Sequence, residues 1–234
     1  MSDDFSVFTY NTVGKFLEKF KLYPSAENLY RQAITATNHG EIFYNKMGDL
    51  ALKNKEMDLT VDCYRKVLEA NPLNREVLVK LATVLQTYFP ENTDETIDCY
   101  ELLEFDIDTP QIYYELGHLY LKKEDKINSI SAFKLALEKD PENPFYNNSL
   151  AYAYSKAELY DDAIEHYQKA IAINPDNEWT SIVCEALGSI YAEAKGNIDA
   201  AVSTYQAGII LDPNNYNLLI SLGDVHMAAY DLDN

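Results

Sequence analysis

Residues 110–141, PQIYYELGHLYLKKEDKINSISAFKLALEKDP, and residues 142–175, ENPFYNNSLAYAYSKAELYDDAIEHYQKAIAINP, lie end to end and carry one pattern twice. Leu116-Gly117, Tyr120, Ser129, Phe133, Ala136 and Pro141 answer to Leu150-Ala151, Tyr154, Ala163, Tyr167, Ala170 and Pro175, at a period of 34 residues. Each part of the pattern has a packing reason. The Gly or Ala after the leucine, and the small residue opening the second segment, let two helices approach as closely as a protein interior requires. The aromatic fills the space between one unit and the next. The proline ends one helix and fixes the turn into its successor. Self-similarity at a fixed period is the mark of a repeat array.

The frame extends over most of the chain. Val13-Gly14, Leu17, Ala26, Tyr30 and Ala33 form a first copy, with Pro24 tolerated in the first turn of its second helix. Met47-Gly48, Ala51, Thr60, Tyr64, Val67 and Pro72 form a second, in which Ala51 replaces the usual larger residue. Leu81-Ala82, Leu85, Thr96, Tyr100 and Leu103 form a third, with a longer turn around Pro90. Leu187-Gly188, Tyr191, Ala201, Tyr205, Gly208 and Pro213 form a sixth, and Leu222-Gly223 begins a seventh. Two insertions stretch the spacing from Pro175 to Pro213: three residues around Trp179, and one in the turn before Gly196.

With these residues in hand, the sequence resembles the tetratricopeptide repeat family. The resemblance implies an all-α fold, an α-solenoid of stacked antiparallel helix pairs wound into a right-handed superhelix. The expected organisation is a single array over residues 1–234. Its repeats would fall near 7–40, 41–74, 75–109, 110–143, 144–180 and 181–215, with the first helix of a seventh at 216–234. Leu218, Leu219, Leu222, Val225 and Met227 would then form an apolar face with no second helix over it. That face predicts a chain continuing past Asn234, or self-association through the exposed C-terminal helix.

Composition bounds the partners. With 19 Lys and Arg against 38 Asp and Glu, the net charge of −19 repels phosphate backbones and anionic membrane surfaces and keeps a tyrosine-rich chain soluble. Nucleic acid is therefore not an expected partner. No window approaches the roughly 18 apolar residues of a membrane span, and no basic segment with an apolar core opens the chain. The three cysteines show no CxxC pairing and read as free thiols. The cytoplasm is the compartment these features predict.

No catalytic or metal constellation is visible, and no cofactor is expected. His39, His118, His166 and His226 lack the H-E-x-x-H setting, and the glycines sit at helix-packing positions rather than in phosphate loops. What remains is a surface. The resemblance implies that first helices line a concave groove, on the side opposite the core pattern. Positions two before and two after each pattern leucine share that face. They give Asn11 and Lys15, Asn45 and Asp49, Tyr114 and His118, Asn148 and Tyr152, and Glu185 and Ser189, among others. One turn further lies a lysine column, Lys19, Lys53, Lys122 and Lys156.

The candidate peptide-binding groove is thus Asn11, Lys15, Lys19, Asn45, Lys53, Tyr114, His118, Lys122, Asn148, Tyr152 and Lys156. Asparagine offers donor and acceptor to an extended backbone. The lysines would draw carboxylates, although a helix C-terminus favours lysine in any case. Tyr114, His118 and Tyr152 read either as a binding patch or as packing between repeats. Trp179 reads either as a partner anchor or as a staple of an added helical turn onto the next repeat. The Lys-then-Asn order and groove arginine by which some family members clamp a terminal carboxylate are not matched here.

The function expected is a non-enzymatic interaction module or scaffold for a protein or peptide in the groove. Two alternatives stay open. One is a recognition arm of a larger enzyme or signalling protein whose catalytic domain lies beyond residue 234. The other is a self-assembling scaffold.

Overall fold

The computed structural model describes residues 3–104 and 109–232, and among them every regular element is a helix. Two compact units divide the chain, residues 1–107 and 108–234. The first holds α1 (Asp3–Lys19), α2 (Tyr23–Ala36), α3 (Gly40–Lys53), α4 (Met57–Ala70), α5 (Arg75–Tyr88) and α6 (Thr93–Glu104). The second holds α7 (Pro110–Lys122), α8 (Lys126–Lys139), α9 (Pro144–Lys156), α10 (Tyr160–Ile173), α11 (Thr180–Ser189), α12 (Ile198–Leu211) and α13 (Tyr216–Leu232). Within each unit, helices pair along the chain (α1 with α2, α3 with α4, α7 with α8, α9 with α10), and each pair packs on the next. Each unit is an α-solenoid of stacked antiparallel helix pairs.

The turn inside a pair is built the same way four times. Lys21, Lys55, Glu124 and Glu158 take a left-handed conformation, with φ of 58°, 63°, 61° and 62°. The next amide then reaches back to a carbonyl five residues earlier, as Glu56 N does to Ala51 O at 2.9 Å and Leu159 N to Tyr154 O at 2.9 Å. This is the hydrogen-bond pattern that closes a helix C-terminus without glycine's help. In the sixth pair the inserted residue changes the closure. Ile190–Ala194 widens into a π-helical segment at the end of α11, Gly196 takes φ 60°, and Asn197 N reaches back six residues to Tyr191 O at 2.8 Å. A single extra residue is absorbed by a wider helical turn.

The aromatic column lies at the centre of both units. Tyr30, Tyr64 and Phe133 are fully buried, and Tyr167 and Tyr205 almost so. The paired small residues set how the rings lie. A methyl group placed on Gly48 would stand 2.5 Å from the Tyr64 ring, and one on Gly117 would stand 2.5 Å from Phe133. Such contacts force side chains off their rotamers, which typically costs about 1–3 kcal/mol. Ala82 and Ala151 hold this position in their own repeats, so Tyr100 and Tyr167 must seat beside a real methyl.

Two details go beyond the sequence expectation. The five apolar residues of α13 do not share one open face: Leu218 and Val225 are buried in a cluster with Ala201 and Tyr205, whereas Leu219 and Met227 are exposed. Residues 218 and 225 lie two turns apart on the side facing α12, and 219 and 227 lie on other sides of the helix. The Trp179 ring packs on Phe145 of α9 at 4.7 Å between centroids and against the core cluster that holds Val183, Leu187 and Ile190, while Thr180 Oγ1 donates to Asn174 O at 2.5 Å and closes the inserted turn.

Candidate functional site

The polar residues on the first helices of the first unit's pairs largely satisfy one another. Glu18 accepts from the Tyr30 hydroxyl at 2.7 Å and from Lys53 Nζ at 2.9 Å. Asp49 accepts from the Tyr64 hydroxyl at 2.9 Å and from Lys80 Nζ at 2.7 Å. Lys80 also reaches Glu76 at 2.6 Å and Asn45 Oδ1 at 3.2 Å, and lies 5.8 Å from the Tyr64 ring centroid. The electrostatics follow from this. Burial opposes the Lys80 charge, but hydrogen bonds to Asp49 and Glu76 outweigh it and raise its pKa. Burial, then the neighbouring carboxylates, push the Tyr30 and Tyr64 hydroxyls up. Lys46, half-buried beside Lys15, is pushed down chiefly by its burial.

Among the residues singled out from the sequence, then, Asn45 and Lys53 have partners within the protein, Lys53 while remaining exposed. Lys15 and Lys19 are exposed. Asn11 is half-buried, and its Oδ1 meets no donor. Lys80 escaped the sequence reading because it precedes its pattern leucine by one residue, not two.

The second unit is arranged differently. Tyr114 and His118 join an aromatic cluster. The Tyr114 ring lies 4.6 Å from His118, 5.0 Å from Tyr146 and 5.9 Å from Phe133, and His118 meets the Phe133 ring edge-on at 5.0 Å. His118 Nε2 also lies 3.3 Å from Ser149 Oγ. Burial pushes the His118 pKa down, against the pull of Glu115. Both residues contribute to packing between repeats, and His118 keeps an exposed edge.

Tyr152 stands apart from that cluster, 45 % exposed, with Lys156 Nζ 5.1 Å from its ring centroid. Three cavities meet at this tyrosine. One, of about 540 Å³, is bordered by His118, Lys122, Lys126 and Lys156. A second, of about 370 Å³, is bordered by Ser155, Lys156, Tyr167, Ser189 and Glu193. The third, of about 750 Å³, is bordered by Asn148, Tyr167, Ile182, Glu185 and the stretch Asp212 and Asn214–Asn217. The turn from Asp212 to Asn217 was not visible as a site in the sequence, because it lies between repeats rather than on a first helix.

Tyr167 ties two of these cavities together. The other column tyrosines donate to a side chain on the partner helix: Tyr30 to Glu18, Tyr64 to Asp49, Tyr100 to Gln86 and Tyr205 to Ser189. These acceptors stand either one or four residues after the pattern's small residue. In the fifth repeat those positions are Tyr152 and Ser155. Tyr152 is drawn out toward Lys156, and Ser155 is too short to span the gap that Glu18 and Gln86 span. The Tyr167 side chain, 98 % buried, consequently has no hydrogen-bond partner among the described residues and borders the cavities instead. Burial pushes its pKa up.

Among the described residues no cluster of three His, Cys, Asp or Glu side chains could hold a metal, and no helix is long and apolar enough to cross a membrane. The three cysteines are buried thiols. Burial pushes Cys63 up to about 11 and Cys99 up to about 12, and raises Cys184 as well, which leaves them poor nucleophiles.

Comparison with known proteins places this geometry. Tetratricopeptide repeat models match residues 43–72, 110–143, 147–177 and 183–215, together more than half of the chain. The chain belongs to the tetratricopeptide repeat family. It is 28 % identical over 160 residues to the general transcriptional corepressor ssn6 of Schizosaccharomyces pombe, covering 67 % of this chain and 14 % of that protein. It is 24 % identical over 196 residues to the human protein O-mannosyl-transferase TMTC1, covering 81 % of this chain and 21 % of that one. The chain thus spans about a fifth or less of the length of these two relatives. Among solved structures it is similar to MamA, with a TM-score of 0.65 and 25 % identity over 75 % of this chain and 93 % of that one. Proteins of this family generally mediate protein–protein interaction.

Proposed function

We propose that the chain is a non-enzymatic interaction module, and that its second unit binds an extended peptide segment of a protein partner along α9, across Asn148, Tyr152 and Lys156. The observation that carries this reading is Tyr152, a half-exposed aromatic at the junction of three cavities. A tyrosine in such a place supplies apolar area and a polar tip at little cost in side-chain entropy, which is why tyrosines recur at binding hot spots. His118 and Lys122 extend the surface toward α7, and Asn148 offers both donor and acceptor to a peptide backbone.

The test uses dodecapeptides selected on the full chain from a random phage-displayed library, then synthesised with a fluorescent label. The variant Asn148→Ala/Tyr152→Ala should keep its circular dichroism and bind these peptides at least about tenfold more weakly, as loss of a hot-spot tyrosine does. Equal binding to wild type and variant would move the site off α9.

A second reading, a recognition arm within a larger enzyme, is favoured by the match of most of this chain to about a fifth of an O-mannosyl-transferase. In that reading the same groove would select the enzyme's protein substrate, and fusion of the chain to a reporter modification enzyme would direct it to the selected peptides.

A further inference from the structure

We infer that the 750 Å³ cavity beside Tyr152 takes an arginine side chain of the bound segment, an inference that rests on the peptide-binding reading above. The cavity lining is rich in acceptors and holds no cation: Glu185, Asp212 and the asparagines at 148, 214, 215 and 217, with Tyr152, Tyr216 and Ile182 as its apolar surfaces. Neither Glu185 nor Asp212 joins an ion pair among the described residues. Asp212 Oδ1 accepts from Asn214 N at 3.0 Å and Asn215 Oδ1 from Leu218 N at 3.3 Å, which holds the turn in place and leaves the second Asp212 oxygen and the Glu185 carboxylate unspent.

A second, independent observation points to a ligand in the same place. Tyr167 is buried to within 2 % of its surface, borders this cavity, and has no hydrogen-bond partner among the described residues, unlike the four other column tyrosines. Its hydroxyl is not sealed from solvent but opens onto the cavity, placed to bond a ligand. A bound segment that offered a backbone carbonyl or a side-chain donor at this point would supply the partner that the protein does not.

The chemistry selects arginine over other side chains. A guanidinium carries five donors and no acceptor, needs an acceptor-rich wall, and stacks on aromatic faces. The exposed rings of Tyr152 and Tyr216, 45 % and 72 % accessible, supply such faces, and Ile182, 56 % accessible, meets the aliphatic stem. A carboxylate ligand would face Glu185 and Asp212 with no compensating cation. Charge also sets direction. The cavity on the other side of Tyr152 is bordered by Lys122, Lys126 and Lys156 against Glu124. The arginine of the segment therefore lies toward α11, and any acidic residue of it toward α7.

The experiment reads the phage-selected dodecapeptides for a recurring arginine and replaces that arginine by citrulline, its neutral isostere, in the synthetic peptides. Citrulline should weaken binding to the wild-type chain about tenfold or more, as truncation of a charge pair does. The same replacement should matter little when the protein carries Glu185→Gln and Asp212→Asn. Tyr167→Phe should weaken binding several-fold with the fold intact. Selected peptides with no basic position, or citrulline peptides of unchanged affinity, overturn the arginine assignment while the groove reading stands on the Tyr152 variant. Peptides that ignore the Tyr152 variant, or a library that yields no binder, overturn both.

Discussion

The two units build their cores by one pattern and differ in what the polar residues of their first helices do. In the first, Glu18, Asp49 and Glu76 are met by Tyr30, Tyr64, Lys53 and Lys80. In the second, Phe133 has no hydroxyl to place, Tyr167 has one without a partner, and Glu185 and Asp212 face a cavity with no lysine or arginine on its wall. One packing pattern therefore yields carboxylates paired within the protein in the first unit and carboxylates open to a cavity in the second. The difference arises from single residues: a glutamate four positions after Gly14, against a serine four positions after Ala151. Cores of one pattern permit different surfaces because packing uses the faces of the column rings and the polar contacts use only their tips.

If that division is right, truncating the column should damage both units alike. Tyr64→Ala and Tyr167→Ala each remove a ring buried to 2 % exposure or less, and each should cost about 3–5 kcal/mol, the range for large aromatic truncations in cores. Repeat arrays unfold locally as well as globally, so hydrogen exchange by mass spectrometry is the suitable readout. Protection should fall in α3 and α4 for the first variant and in α9 and α10 for the second. A much smaller loss at Tyr167 would mean that its ring, and not its hydroxyl alone, belongs to the binding surface.

Removing only the hydroxyls should then separate the units. Tyr64→Phe deletes a bond to the Asp49 carboxylate and should cost about 1 kcal/mol or somewhat more, since the acceptor is charged. Tyr167→Phe deletes no intramolecular bond and should stay within about 0.5 kcal/mol of wild type. Denaturant melts followed by circular dichroism measure both. Equal costs would erase the contrast between the units and with it one support of the arginine assignment.

The core was readable from the sequence because period-34 matches at Leu116, Gly117, Phe133 and their counterparts report packing, and packing is local to neighbouring repeats. The groove was only half readable. Spacing placed Asn148 and Tyr152 on one face, and both border the same cavity. Spacing did not reveal that Lys80 would occupy Asn45, because side-chain reach across helices depends on length and direction rather than on position. Nor did it reveal that the Tyr167 side chain would border two cavities without a protein hydrogen-bond partner. The turn Asp212–Asn217 carries no periodic signal at all, and only the fold brings it to Glu185 and Tyr152. Trp179 shows the same limit: the insertion was evident, but its packing partner, Phe145, was not.

The smallest expected effect is one of acidity, and it should fall on the second unit. Burial lowers the pKa of both His118 and His166. His118 faces Tyr114, Phe133, Ser149 and Glu115; His166 faces Tyr154 and Asn147, with Lys169, Glu165, Asp162 and Lys134 around it. A histidine with a folded pKa below its ordinary 6.5 binds a proton more readily in the unfolded chain. The unfolded state therefore takes up more protons as pH falls through 6.5, and stability, complete above that value, declines below it. Thermal melts at pH 7.5 and 5.5 should show a lower midpoint at the acid pH, with hydrogen exchange accelerating in α7 to α10. His118→Gln combined with His166→Gln should flatten that dependence, and acid sensitivity that persists in the double variant would assign it to the carboxylates instead. The polar network of the first unit should change little over the same interval, because the side chains that form it include no histidine.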